Sequence, residues 1–314
     1  KIELVANENY WDGAPEIKSI TVKNIGSDTK VDAMLSGDID LAQGPDATAL
    51  NRVENNDDIN IVKVTGTREN DFELNCREGN PLSDKNLRLA LSYAVDRDVV
   101  AQVAGNGYSS PISTAFPPSV GYDSEDVNGQ VYDLDKAKEY LDTALSELGL
   151  SSASDISLKL VVSDSDTAKK EAEVVANQWK NNLGINVDIN MVPYATKNAL
   201  LVPDSDEYDI IMSGWAPDYS DPYSYLELWY STSGYNYLNY HSDEYDKYID
   251  ASKTTSGKER MDNLFNAEKT LLEDGALVAL QLREVPYMVS DRVQNLGAYF
   301  VGLNYDYMYV DITN

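Results

Sequence analysis

The stretch GWAPDYSDPYSYLELWY, Gly214 to Tyr230, concentrates aromatic rings, two prolines and two free-standing aspartates in one short segment. Three kinds of chemistry suit such residues. The rings can be core or half-buried surface, because Tyr and Trp bury well with one polar end wet. They can equally line a concave site that stacks against a ligand while Asp218 fixes one positive group. Two carboxylates amid stacking rings are also the tools of a glycosidase, with Asp218 and Asp221 as the pair, although residues three apart on one loop seldom face each other across a substrate.

Other reactive types are scarce. The chain has one histidine, His241 in NYHSDEY, and no Gly-x-Ser-x-Gly elbow, so a Ser/His arrangement has no basis, and His241 reads as a turn or surface residue. His/Cys metal sites fail on ligand count. The acidic runs GYDSEDVNGQ and VPDSDEYD lack the calcium-loop spacing and read as solvated loops. Cys76 stands alone, so no intrachain disulfide forms, and the strand-like FELNCREG around it predicts a small buried apolar residue rather than a reactive thiol. No cofactor and no metal is expected.

The elements that must position the aromatic segment alternate in type. IKSITVKNI and DINIVKVTG read as strands, with a short helix between them that ends at Gly37. From Asp84 to Val95, Leu87, Leu91, Ala94 and Val95 make one helical face, with Ser83 or Asp84 as cap. Leu134, Ala137, Leu141, Ala144, Leu145 and Leu148 form a second stripe that stops at Gly149. Strand ISLKLVVS, a helix to about Leu183 closed by Gly184, and strands INVDINMV and YDIIMSGW follow. A helix from about Lys258 to Glu273 and a strand ALVALQLR come last. This order predicts an α/β layered fold with a largely parallel sheet, and it makes Asp221-Pro222 the start of a helix.

Composition bounds the rest. At 314 residues two structural lobes are expected. Fifty-three acidic against 25 basic residues leave a net charge of −28, which repels phosphate backbones and anionic lipid heads, so nucleic acid is not an expected partner. The hydrophobic share of 42% and the 22 tyrosines suit a folded chain, not a disordered acidic one. No apolar run is long enough to cross a bilayer, and KIELVANENYWDG has no signal-peptide character.

Five segments in order, LVANENYWDGAPEIKSITVKNI, LSGDIDLA, PLSDKNLRLALSYAVDRDVV, VANQWKNNLGINVDINMV and DIIMSGWAPDYSDPYSYLELW, resemble successive landmarks of the oligopeptide/dipeptide/nickel-type solute-binding proteins of ABC importers, family 5. The resemblance implies a type II periplasmic-binding-protein fold of two lobes with lobe one incomplete. Residues 1–96 would be the remainder of lobe one, 97–284 lobe two, and 285–314 the return to lobe one. It implies an extracellular, cell-surface or periplasmic monomer that binds oligopeptides between its lobes, performs no reaction, and delivers them to the ABC permease, with any lipid anchor outside this chain. By the same resemblance Asp218 would hold the ligand's α-ammonium, with Gly214, Trp215, Ala216 and Tyr219 around it. Pro217 removes one amide donor inside this motif, and Met212 stands where some relatives are basic. A family member turned to an oligosaccharide, an opine or a nickel complex, or an acidic glycoside hydrolase, are the alternatives.

Overall fold

A computed structural model describes residues 1–45, 47–64, 66–105, 108–121, 129–299, 301 and 305–313. The chain divides into two compact units, residues 1–66 with 284–314, and residues 67–283. This division between compact units falls thirty residues before the lobe boundary expected between residues 96 and 97. The reason is the strand that follows residue 67: it is central in the sheet of the second unit, and the next helix packs into the same core.

The first unit begins with a hairpin-like pair, β1 (Ile2–Val5) against β2 (Ser19–Val22), antiparallel. Helix α1 (Ser27–Leu35), strand β3 (Leu41–Gln43), helix α2 (Ala47–Val53) and strand β4 (Ile59–Val64) complete its first pass.

The second unit runs β5 (Glu69–Leu74), α3 (Lys85–Tyr93), α4 (Arg97–Ala104), β6 (Ser109–Pro111), α5 (Leu134–Leu148), β7 (Ser157–Ser163), α6 (Asp166–Leu183), β8 (Asn186–Val192), α7 (Tyr194–Leu200) and β9 (Ile210–Ser213). It ends with the short α8 (Tyr223–Leu226), a single 3-10 turn at Glu227–Trp229, α9 (Asp243–Thr254), α10 (Gly257–Glu273) and β10 (Leu277–Arg283). The chain then returns to the first unit as β11 (Val285–Ser290), antiparallel between β3 and β4.

The stripes expected for the helices are the faces they bury. Helix α5 buries Ala137, Leu141 and Ala144, starts on the Asp133 carboxylate and ends at Gly149, whose left-handed φ of 67° suits a residue without a Cβ. Asp84 caps α3 by accepting from the Leu87 amide at 2.8 Å. The six strands of the second unit lie in the order β6-β10-β5-β9-β7-β8. Only β7 with β8 and β7 with β9 are parallel, while β5 runs antiparallel to both β10 and β9. The sheet is mixed rather than largely parallel, because the chain closes it with strands contributed from both ends of the unit.

One core forms where α3, α5 and α6 cover this sheet, centred on Phe72, Leu91 and Trp179. A second forms where α8, α9 and α10 pack around Tyr225, Trp229, Tyr245 and Leu271. Among the described residues no helix is long and apolar enough to cross a membrane.

Candidate functional site

Strand β9 delivers the aromatic segment. It lies between β5 and β7 with Ser213 opposite Asp71, and Gly214 follows at its end. Gly214 has φ +145°, and a Cβ there would meet the Glu69 carbonyl oxygen at 2.3 Å. That close approach lets Trp215 and Glu69 bond twice: the Trp215 amide donates to Glu69 Oε1 at 2.7 Å, and the Glu69 amide donates to the Trp215 carbonyl at 3.1 Å. The Trp215 ring packs edge-on against Tyr235 with centroids 5.5 Å apart. Half of the packing expectation thus holds, since Trp215 is half-buried against the second core.

Beyond Trp215 the loop turns outward. Ala216 and Asp218 are exposed, Pro217 is buried, and Tyr219 is 45% exposed. The Asp218 amide donates to Ser224 Oγ at 3.2 Å, which anchors the backbone, but its carboxylate makes no hydrogen bond or ion pair. Asp221 is different. Its carboxylate accepts the Tyr223 amide at 2.9 Å and takes both guanidinium nitrogens of Arg260 on α10, at 2.7 and 2.9 Å. The helix-starting role expected for Asp221-Pro222 is therefore present. A carboxylate held by a bidentate arginine is a poor general acid or base, which removes one half of the glycosidase pair.

Beneath this loop lies a group of acids that no sequence motif marks. Glu69, Asp71 and Glu73 alternate along β5 and are all at most 3% exposed. In the sequence RENDFELN that alternation reads as a solvated strand face. Here the face is covered, and Lys197 of α7, its Nζ donating to the Met212 carbonyl at 2.8 Å, is the buried cation beside it. Burial, reinforced by Asp71, pushes Glu69 and Glu73 well above the carboxylate range. Burial also raises Asp71 to about 7, against the pull of Arg68 and Lys197. Glu171 of α6, reached by Asn70 Nδ2 at 3.4 Å, is likewise pushed up to about 7 by burial.

The remaining candidates sort simply. Cys76 is half-buried, donates to the Leu74 carbonyl at 3.3 Å, and burial raises its thiol to about 11, so it is not a nucleophile at neutral pH. His241 is exposed. In the run at 202–209, Asp209 accepts from Asn80 and from the Lys159 amide, both at 2.7 Å, so it is a structural brace. Residues 122–128 of the other acidic run lie outside the described residues. Among the described residues no group of His, Cys, Asp and Glu has the arrangement of a metal site.

The fold is that of oligopeptide-binding periplasmic-binding proteins. The chain superposes over 99% of its length on 62% of the substrate-binding domain of an oligopeptide ABC transporter from Bacillus anthracis, with a TM-score of 0.79 and 27% identity. It matches the peptide-bound OppA of Listeria monocytogenes over the same shares, with a TM-score of 0.78 and 26% identity. The profile of the bacterial extracellular solute-binding proteins, family 5, matches residues 1–237, and the chain belongs to that family. It is similar to the oligopeptide-binding protein OppA of Bacillus subtilis, 29% identical over 288 residues covering 88% of this chain and 52% of the relative. The periplasmic OppA of Salmonella typhimurium is 30% identical over 283 residues, with the same coverage of each chain. The chain spans about half the length of the curated relatives it matches.

Proposed function

We propose that the protein is the solute receptor of an ABC importer, that it binds oligopeptides outside the cytoplasm and hands them unchanged to the permease, and that Asp218 holds the peptide's α-ammonium. The observation that carries this reading is the contrast between two aspartates on one loop. Asp221 is consumed by Arg260, whereas Asp218 is exposed and has no partner on a backbone held at Trp215 and at Ser224. A fixed, unpaired carboxylate costs little to reorganise when a cation arrives, and a charge-assisted hydrogen bond is stronger than a neutral one. Gly214, Trp215, Ala216 and Tyr219 supply backbone and ring surface beside it. The names of the relatives, oligopeptide- and dipeptide-binding proteins, support a peptide ligand and a permease partner. The expected boundaries at 96 and 284 give way in this reading to lobes divided at 66 and 283.

Calorimetric titration of the gene's whole product with trialanine and N-acetyl-trialanine tests the reading. Acetylation is expected to abolish the anchor, and Asp218→Asn to weaken trialanine by about 1.5–3 kcal/mol, the range for hydrogen bonds to charged groups. Equal affinity for the two peptides would remove Asp218 from this role. A discrete sugar or nickel mass retained in native mass spectrometry, in place of heterogeneous peptide, would replace the ligand class.

A further inference from the structure

Strand β9 stays paired with β5 as far as Ser213 opposite Asp71, and the same antiparallel register carried two residues further sets Trp215 opposite Glu69. In an unbroken ladder such a pair exchanges two backbone bonds. One of them forms, with the Glu69 amide donating to the Trp215 carbonyl at 3.1 Å. The other is replaced: the Trp215 amide donates to Glu69 Oε1 at 2.7 Å. A ladder carbonyl lies in the plane of the sheet, whereas a side chain projects from its face, so this acceptor draws the end of β9 out of the ladder. The amide stays satisfied as the strand departs.

Glu69 is a fixed post for that departure. It is 3% exposed on a strand bonded along both edges, with Leu282 of β10 opposite it. Two residues before it, the Thr67 carbonyl accepts the hydroxyl of the buried Tyr225. Its carboxyl also bonds that of Asp71, and two carboxyls can bond each other only when one holds a proton. Burial, reinforced by Asp71, favours the protonated form of Glu69. In that form Glu69 offers one donor, to Asp71, and one acceptor, to Trp215.

The far end of the loop is held separately. The Asp218 amide donates to Oγ of Ser224, a buried residue of α8, at 3.2 Å. Only Ala216 and Pro217 lie between the two tethers, and the proline ring locks its own φ. An anchoring charge is effective only when held close to its productive geometry, and these two tethers hold this one.

We propose that Glu69 is the positioning residue of the ammonium site: through the Trp215 amide it sets where the Asp218 carboxylate stands. The inference rests on the reading of the protein as a peptide receptor anchored by Asp218, and adds to that site a buried residue from a distant part of the chain.

Three substitutions separate the acceptor from the rest of the side chain. Glu69→Gln keeps an acceptor for Trp215 and a donor for Asp71, Glu69→Asp withdraws the carboxyl by one methylene, and Glu69→Ala removes it. The whole gene product carrying each is titrated calorimetrically with trialanine and N-acetyl-trialanine, once its urea midpoint is known. Glu69→Ala and Glu69→Asp are expected to weaken trialanine about tenfold or more, the lower end of what a hydrogen bond to a charged group contributes, and to bring the affinities of the two peptides together. Glu69→Gln is expected to keep the parent's affinity and its preference for the free amino terminus. A purely structural role would lower the urea midpoint and leave that preference unchanged, which overturns the inference and leaves the peptide reading intact. If Glu69→Ala does not fold, Glu69→Asp decides the matter. A preference lost as fully in Glu69→Gln as in Glu69→Asp would show that the acceptor is not what positions the loop, and also overturns the inference. A parent that binds both peptides alike, or neither, removes the role of Asp218 and this inference with it.

Discussion

Gly214 is constrained twice, by a φ of +145° and by a carbonyl oxygen where its Cβ would stand. Alanine there has to push β9 away from β5 and break the paired bonds between Glu69 and Trp215. Gly214→Ala is expected to cost about 1–3 kcal/mol, the range for a residue forced into a disfavoured backbone region, read as a lower urea midpoint at unchanged slope. An unchanged midpoint would show that the loop relaxes freely. The Arg260–Asp221 bridge is worth less than its two short bonds suggest, because both side chains are about a quarter exposed, at 27% and 26%. Asp221→Asn, which leaves a neutral acceptor for the Tyr223 amide, is expected to lower stability by roughly 1 kcal/mol in the same assay. A loss of several kcal/mol would mean that the pair braces more than this loop.

Strand β5 carries the least ordinary chemistry of the molecule, because a central strand buries both faces and one of them is acidic. Asn70, Phe72 and Leu74 alternate with the three acids, and Phe72 meets Trp179 of α6 with centroids 6.0 Å apart. Nearby Glu171 of α6 and, in the second core, Glu268 of α10 are also buried carboxylates, the latter accepting from the Ala115 amide at 2.8 Å and pushed up to about 8 by burial. The sign follows from proton uptake. Each of these groups binds its proton more tightly folded than unfolded, so its contribution is present at low pH and is lost as pH rises. For Glu171 the loss runs between its ordinary 4.5 and about 7, and for Glu268 between 4.5 and about 8. Stability measured by urea at pH 5 and pH 8 is therefore expected to fall with pH. Glu171→Gln and Glu268→Gln should each flatten that fall and raise the midpoint at pH 8. If both variants keep the parent's pH slope, the side chains are not titrating in the folded protein.

At the scale of the whole molecule, the unit 67–283 contains every strand of the six-stranded sheet and both of the cores described for it. Residues 67–283 expressed alone are expected to melt cooperatively, seen as one sigmoidal near-ultraviolet transition, since few of the contacts that make a core would be lost. A broad, featureless melt would make the second unit dependent on the first. The net charge of −28 acts on the same scale. Shortening the screening length from about 10 Å at 0.1 M salt to about 3 Å at 1 M weakens the repulsion among surface carboxylates. The midpoint of thermal unfolding is expected to climb by several degrees across that range in NaCl, and a flat or falling midpoint would show that the surface charges are already compensated.

What the sequence by itself determined was local. The cap at Asp84, the stripes of α3 and α5 and the glycines that close α5 and α6 lie within a few residues of the structures they govern, so their periodicity and spacing were readable. The same holds for the loop that sets Asp218 apart, because its rings, prolines and aspartates are contiguous. Tertiary structure decided what depends on partners far along the chain. Strand direction in the mixed sheet, the boundary at residue 66, and the pairing of Asp221 with Arg260, 39 residues away, follow from packing that no short window contains. The acids of β5 show the reason most directly. Alternation put them on one face, but whether that face meets water or the covering side chains of Lys197, Ser213 and Trp229 depends on residues more than a hundred positions later, and burial converted a solvated charge pattern into a group of carboxyls held well above the ordinary carboxylate range.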